Sequence, residues 1–177
     1  MKAGRRGLDF PRIGQIGVVV KDLEATMRYY EELMGIGPWA VFDGEPEWCL
    51  EGGKKVTYKG RMALANSGPI QFELIQILEG RSLYGDTLGK GEGLHHLGFF
   101  VRDIDARLRA AEVAGVKVLQ HGLLSRMGLT IEYAYLDTTA NGGVITEYIK
   151  TSFLGLPFPL SFGPLARISA RAATFAG

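Results

Sequence analysis

Cysteine occurs once in these 177 residues, at Cys49. A lone cysteine excludes an intrachain disulfide framework, and a reducing cytoplasm is the expected setting. No apolar run approaches the ~20 residues that carry a helix across a bilayer. The N-terminus has no apolar signal-peptide core, so neither a membrane span nor export is expected. Charge of one sign is also missing: 20 Lys and Arg against 19 Asp and Glu leave a net +1. That is too weak a field for a nucleic-acid partner, and Lys2, Arg5 and Arg6 amount to a small solvated tail. No glycine-rich loop has nucleotide-site spacing between a strand and a helix. Cys49 has no base beside it in its motif and is no candidate nucleophile. What is present is an ordinary globular composition, 46% hydrophobic and 22% charged, with 25 glycines that signal tight turns between short strands.

The chain also repeats itself. Gln15-Ile16-Gly17-Val18-Val19-Val20-Lys21-Asp22-Leu23 returns as His96-Leu97-Gly98-Phe99-Phe100-Val101-Arg102-Asp103-Ile104. Ile70-Gln71-Phe72-Glu73-Leu74-Ile75 returns as Val144-Ile145-Thr146-Glu147-Tyr148-Ile149. Gln15 and His96 are 81 residues apart, and Glu73 and Glu147 are 74 apart, so the halves are nearly equal. Such an echo means two copies of one supersecondary unit packed together.

Each copy reads as βαβββ. In the first, an Ile/Val-rich strand over 12–20 precedes a helix from Leu23 to Met34, with Asp22 as its N-cap and Gly35 ending it. Strands are expected at 38–42, 54–65 and 69–78, with Asn66-Ser67-Gly68-Pro69 as a turn and 43–53 as a loop. In the second, a strand over 95–101 precedes a helix from Ile104 to Ala114, capped by Asp103 and ended by Gly115. Strands follow near 116–120, 129–137 and 143–149, with Asn141-Gly142-Gly143 as a turn. The reading is therefore a tail over 1–11, one α+β domain over 12–150 built of modules 12–78 and 94–150 joined by a glycine-containing loop, and an apolar extension over 151–177. That extension, with Phe153, Leu154, Leu156, Phe158 and Leu160, suits docking on the domain or on a dimer partner.

Alternation along the strands gathers four polar side chains on one face. Glu147 lies between Ile145 and Ile149; Glu73 shares a face with Gln71, Ile75 and Ile77; Gln15 and His96 are each followed two residues on by a glycine that leaves space, Gly17 and Gly98. Singly, a strand Glu is ordinarily a surface charge and a lone His a satisfied core residue. Four at symmetry-related positions are another matter. Two buried carboxylates must protonate, pair or bind a cation. One divalent ion held by Gln15, Glu73, His96 and Glu147 would satisfy both, and this O₃N set without thiolate suits Zn, Ni, Co, Mn or Fe(II). His95, beside His96, is expected to point away from it, serving in packing or in a hydrogen bond behind the ligands. Tyr58, Lys59 and Arg61, on the strand expected over 54–65, are candidates to meet an anionic substrate, and His121, near the end of the strand expected at 116–120, is a further candidate.

These residues carry a resemblance. Gln15 to Glu24, Tyr29-Tyr30, Leu33-Met34-Gly35, Phe72-Glu73-Leu74, Gly93-Leu94-His95-His96-Leu97 and Gly143-Val144-Ile145-Thr146-Glu147 together resemble the vicinal oxygen chelate superfamily over about residues 12–150. That group includes glyoxalase I, methylmalonyl-CoA epimerase, extradiol dioxygenases and bleomycin-resistance proteins. The resemblance implies paired βαβββ modules forming an eight-stranded mixed sheet, cupped around one metal. Gly93-Leu94-His95-His96, after a loop containing Leu83-Tyr84-Gly85-Asp86, is most similar to the epimerase branch. The set Gln15, Glu73, His96, Glu147 is similar to the glyoxalase I pattern, and Tyr58 to Ala63 offers no acid where epimerases carry a catalytic carboxylate. The implied activity is a metal-dependent isomerase or epimerase that removes a proton α to a carbonyl, the metal acting as Lewis acid on the enolate and Glu147, or second Glu73, as base. The alternatives are a glyoxalase I-like lyase and a non-enzymatic drug-binding protein of the bleomycin-resistance type. A small carbonyl compound or acyl-CoA is the implied substrate, and a homodimer the implied assembly.

Overall fold

The computed structural model describes residues 8–89, 91–140 and 143–157. The first unit runs β1 (Gln15–Val19), α1 (Leu23–Met34), β2 (Ala40–Gly44), β3 (Trp48–Glu51), β4 (Lys54–Lys55), β5 (Tyr58–Ser67) and β6 (Ile70–Gly80). After α2 (Tyr84–Leu88) the second runs β7 (Gly93–Phe100), α3 (Ile104–Val113), β8 (Val118–Arg126), β9 (Leu129–Leu136) and β10 (Ile145–Phe153), with β11 (Leu156–Pro157) turning back on β10. Among the described residues the strands form one eleven-stranded sheet, ordered β2-β5-β6-β1-β7-β10-β9-β8-β3-β4 with β11 beside β10. The eight strands expected of the two modules are all in it. In each module the first strand pairs in parallel with the last, β1 with β6 and β7 with β10. β1 and β7 pair antiparallel, which puts a pseudo-two-fold axis between them.

Local chemistry sets the helices. Asp22 Oδ1 accepts the Ala25 N–H at 2.9 Å, and Asp103 Oδ1 accepts the Ala106 N–H at 2.9 Å, so both caps satisfy donors left free at a helix start. Gly35 closes α1 in the left-handed conformation at φ 64°. α1 buries Leu23, with Met27 and Tyr30 packed behind it, against Phe72, Leu74, Ala63 and Ala65 on the outer face of the sheet. α3 does the same with Ile104, Leu108 and Ala111 against Phe99, Ala134, Leu136 and Tyr148. A fully buried Leu such as Leu23 or Leu74 contributes roughly 1.5–3 kcal/mol. Both helices therefore cover the outside, and the inner face is left to line a cup.

Five segments depart from the sequence reading. Residues 43–53 are not a loop: Trp48–Glu51 is a strand that pairs with β8 at the far edge of the second module. The Glu47 N–H donates to Leu123 O at 2.8 Å and Arg126 Nη1 donates to Asp43 O at 3.2 Å, so this excursion ties one end of the sheet to the other. Its partner lies about seventy residues away along the chain, out of reach of local pattern. The joining segment holds α2, which turns Tyr84 inward. The strand expected at 116–120 continues to Arg126, and the last strand runs on to Phe153, into the stretch assigned to the extension. Part of the N-terminal tail is docked: Phe10 packs on Phe99 and Tyr148 at centroid distances of 4.7 and 5.3 Å. The turn at Asn141-Gly142, the basic residues Lys2, Arg5 and Arg6, and the extension from Phe158 onward lie outside the described residues; Leu154 and Leu156 are exposed. No helix among the described residues is long and apolar enough to cross a membrane.

Candidate metal centre

The centre is built on four adjacent strands, β6, β1, β7 and β10. Register explains the gathering. Gly17 of β1 lies opposite Glu73 on one side and His96 on the other. Gly98 of β7 lies opposite Gln15 and Glu147. Each glycine thus stands between two of the four polar residues, and each opens space for its cross-strand neighbour. A Cβ on Gly17 would lie 1.9 Å from His96 Cε1, and one on Gly98 would lie 2.8 Å from Gln15 Cβ. The space is used crosswise: the glycine of one repeat accommodates the ligand candidate of the other.

The side chains meet at one point. His96 Nε2 is 3.3 Å from Gln15 Oε1, 3.6 Å from Glu73 Oε2 and 3.1 Å from Glu147 Oε2. The Glu73, His96 and Glu147 donor atoms all lie within 4.8 Å of one another. Oxygen and nitrogen donors about an ion at ~2.0–2.2 Å stand roughly 3.0–3.5 Å apart, so these spacings fit a shared cation. Burial adds to the case. The His96 side chain is 0% exposed, Glu147 5% and Glu73 16%. Glu147 Oε2, although close to His96, is a buried oxygen without a hydrogen-bond partner. A buried anionic oxygen costs several kcal/mol unless something positive meets it; here the His96 ring at 3.1 Å does so, in the place a cation would take.

The electrostatics agree. Burial alone would depress the His96 imidazole, but the Glu147 and Glu73 carboxylates hold it up at about 9. Burial raises the Glu147 carboxyl above its usual range, His96 offsetting part of the rise. Together the cluster retains a proton near neutral pH, in the place where a divalent ion would substitute for it.

Gln71, His95, Tyr84, Tyr133 and Tyr135, which the sequence did not place at the centre, stand beside this cluster. Gln71 Oε1 accepts from Gln15 Nε2 at 2.8 Å, which orients the Gln15 amide with its oxygen toward the centre. Gln71 shares the face of Glu73, and its place opposite Gln15 was the available signal. His95 does not point away from His96: the two Nδ1 atoms are 2.9 Å apart. Four tyrosines also line the cup. The Tyr84 hydroxyl bonds that of Tyr135 at 2.8 Å, and the Tyr58 hydroxyl bonds that of Tyr133 at 3.0 Å. Burial pushes all four well up, so they stay protonated. Phe42, Met62, Leu124 and Ile131 complete an apolar mouth, and the cavity at the cup floor is about 40 Å³, room for a few waters at most.

Of the substrate candidates, only Tyr58 faces this cup. Tyr58, Met62 and Leu64 point inward from β5, so alternation sends Lys59 and Arg61 outward. There Lys59 pairs with Glu79 at 3.1 Å, and Arg61 with Asp43 at 2.7 Å and Glu24 at 3.2 Å. His121 also lies outside, bonded to Glu132 at 3.1 Å and edge-on to Trp48, because Leu124 is the inward residue of its strand.

The model of the glyoxalase/bleomycin resistance protein/dioxygenase superfamily matches residues 14–134. No protein of curated function matches the chain. Methylmalonyl-CoA epimerase from Mycobacterium tuberculosis is similar in structure at a TM-score of 0.58 and 22% identity, over 90% of this chain and 94% of that one. A variant of Streptomyces coelicolor methylmalonyl-CoA epimerase, in complex with 2-nitronate-propionyl-CoA, is similar at a TM-score of 0.54 and 27% identity, over 80% and 97%. A methylmalonyl-CoA epimerase in complex with methylmalonyl-CoA and NH4+ is similar at a TM-score of 0.54 and 25% identity, over 85% and 100%.

Proposed function

Since the chain belongs to the glyoxalase/bleomycin resistance protein/dioxygenase superfamily, we propose that it is a metal-dependent isomerase or epimerase, acting on the proton α to a carbonyl or thioester. One observation carries the reading: Gln15 Oε1, Glu73 Oε2 and Glu147 Oε2 converge on His96 Nε2 at 3.1–3.6 Å inside a tyrosine-lined apolar cup. A divalent cation, if held by these four residues, would supply Lewis-acid stabilisation of the negative charge that develops on a substrate oxygen. Glu147 takes the α-proton. In the metal-free protein its burial raises its proton affinity above that of an exposed carboxylate. Glu73, on the other module, is the second carboxylate in reach of the same point and the alternative base; the base that takes the proton returns it to the carbon, so no net proton is consumed. Gln15, being neutral, fills a ligand position without adding to the negative charge. The protonated tyrosine hydroxyls and the apolar mouth shield the proton from bulk water. The substrate class is a small acyl thioester or related carbonyl compound, supported by the acyl-CoA complexes of the similar epimerases, and a homodimer in the cytoplasm is the setting we favour.

The test is solvent-deuterium exchange at the α-carbon of methylmalonyl-CoA and simpler acyl thioesters by metal-loaded protein. Exchange that disappears in Glu147→Gln supports the assignment; exchange at the wild-type rate in that variant removes Glu147 as base. A second reading, a lyase of the glyoxalase I type, is favoured by the donor set itself, in which a neutral Gln15 accompanies two glutamates and one histidine. Turnover of a thiol–methylglyoxal adduct without exchange on any acyl thioester would select it.

A further inference from the structure

His95 is the one residue of the cluster whose placement breaks the strand pattern. Opposite β1, the register passes from Gly17↔His96 to Val18↔Leu94, so His95 has no partner and forms a β-bulge. A regular strand would send His95 and His96 to opposite faces. The bulge turns both into the cup and brings their Nδ1 atoms to 2.9 Å. At that distance one Nδ1 carries the hydrogen and the other accepts it, and the choice has a consequence at the other side of the ring. His96 Nε2 faces three oxygens, those of Gln15, Glu73 and Glu147. If His95 donated, the neutral His96 ring would carry its own proton on Nε2, aimed at those oxygens, and would have no lone pair there. If His95 accepts, His96 carries its proton on Nδ1 and presents the Nε2 lone pair to the shared point.

The surroundings of His95 select the second arrangement. Its Nε2 is buried without a hydrogen-bond partner, and the Tyr84 and Tyr135 rings lie at centroid distances of 5.0 and 5.3 Å. No hydrogen-bond donor reaches Nε2, so a lone pair there would go unmet, whereas neighbouring ring π-systems can receive an N–H weakly. The hydrogen of His95 therefore belongs on Nε2, which leaves Nδ1 as the acceptor. We propose that His95 is a positioning residue: its Nδ1 accepts the Nδ1–H of His96 and so holds the His96 Nε2 lone pair on the point it shares with Gln15, Glu73 and Glu147. Metal-binding histidines ordinarily give their second N–H to a carboxylate, carbonyl or water; here a neutral imidazole takes that place. The inference rests on the metal-centre reading and adds to it the residue that sets the ligand's tautomer.

Zn(II) affinity, measured by competition with a chelator, tests it in wild-type protein, His95→Phe and His95→Asn. Phe keeps an aromatic ring between Tyr84 and Tyr135 but has no acceptor; Asn offers an oxygen near the Nδ1 position. Loss of such a partner typically lowers metal affinity about 10- to 100-fold, and that loss is expected for His95→Phe, with His95→Asn within a few-fold of wild type. Equal affinity in wild type and a folded His95→Phe overturns the proposal. Wild-type protein that binds no Zn(II) overturns the metal-centre reading instead, and the proposal with it. Nitrogen-15 NMR of the Zn(II)-loaded wild type decides the matter even where a variant does not fold. A protonated His96 Nδ1 beside an unprotonated His95 Nδ1 is the expected result, and the reverse pattern refutes it.

Discussion

Gly17→Ala is the smallest change that reaches the centre without altering a donor. The new Cβ would lie 1.9 Å from His96 Cε1, 2.2 Å from Nε2 and 2.4 Å from Nδ1. Carbon–carbon contacts settle near ~3.5–4.0 Å, so the ring must retreat by about 1.5 Å or the strands must separate. Neither is easy. His96 is fully buried, with Tyr135 and His95 packed at centroid distances of 5.1 and 5.2 Å. Overpacking of this kind costs about 1–3 kcal/mol, a fall of roughly 3–10 °C in melting temperature for a domain of this size. Metal sites tolerate only about ±0.2 Å in ligand placement, so the affinity loss should be far larger than the stability loss suggests, at least about 100-fold, or roughly 2.7 kcal/mol. Gly98→Ala is the internal comparison. Its Cβ would lie 2.8 Å from Gln15 Cβ and Ile149 Cδ1 and 2.9 Å from Gln15 Oε1, so it presses on the neutral donor rather than on the fully buried His96 ring, and the expected loss is smaller, on the order of tenfold. Chelator-competition titration with Zn(II), read beside calorimetric melting, separates binding from stability. A folded Gly17→Ala protein with wild-type affinity would show that His96 is no ligand.

Other outcomes follow from the same structure. In the metal-free protein, His96 is held at about 9 against an ordinary value near 6.5, so the native state keeps a proton that the unfolded state loses. Stability should therefore fall as pH rises from 6.5 to 9, by on the order of 3 kcal/mol, and bound metal should abolish that decline. His95, pushed down to about 3 by burial and by His96, acts in the opposite direction: the unfolded chain takes up its proton first, so stability should fall as pH drops from 6.5 toward 3, with the raised Glu147 offsetting part of the loss. Melting curves across that range check both arms. Replacing Lys59 or Arg61 by Met should leave metal affinity and turnover unchanged, since both side chains pair on the outer surface; a loss of turnover would return them to the substrate site. Asp103→Ala should lower stability by about 1 kcal/mol in urea unfolding through loss of the α3 cap, without changing metal affinity.

Whatever depended on local pattern was legible in the chain. Asp22, Gly35 and Asp103 marked helix ends because capping is decided within four residues. The four polar residues were found because duplication supplied a second copy of each position. Facts that depend on distant pairing stayed hidden. Trp48–Glu51 becomes a strand only because β8 waits at the far edge of the sheet. The bulge at His95 exists only against β1, and without that register the alternation rule put its ring on the wrong face. Lys59 and Arg61 were grouped with Tyr58, although alternation within one strand cannot direct Tyr58 and Lys59 to the same side. Tyr84 was hidden for another reason: the short α2 has no apolar periodicity to announce it, and its inward place is set by Tyr135 and His95.

The central claim is that Gln15, Glu73, His96 and Glu147 hold one divalent ion. Cobalt(II) titration into chelator-stripped protein, followed by visible absorption, addresses it most directly. The account predicts saturation at one ion per chain, with weak bands of an oxygen- and nitrogen-ligated ion and no intense thiolate charge-transfer band, because Cys49 lies buried against Tyr133 and outside the donor set. Saturation lost in His96→Ala and Glu147→Ala would complete the assignment. Failure of folded wild-type protein to bind, or a thiolate band that vanishes in Cys49→Ser, would contradict it.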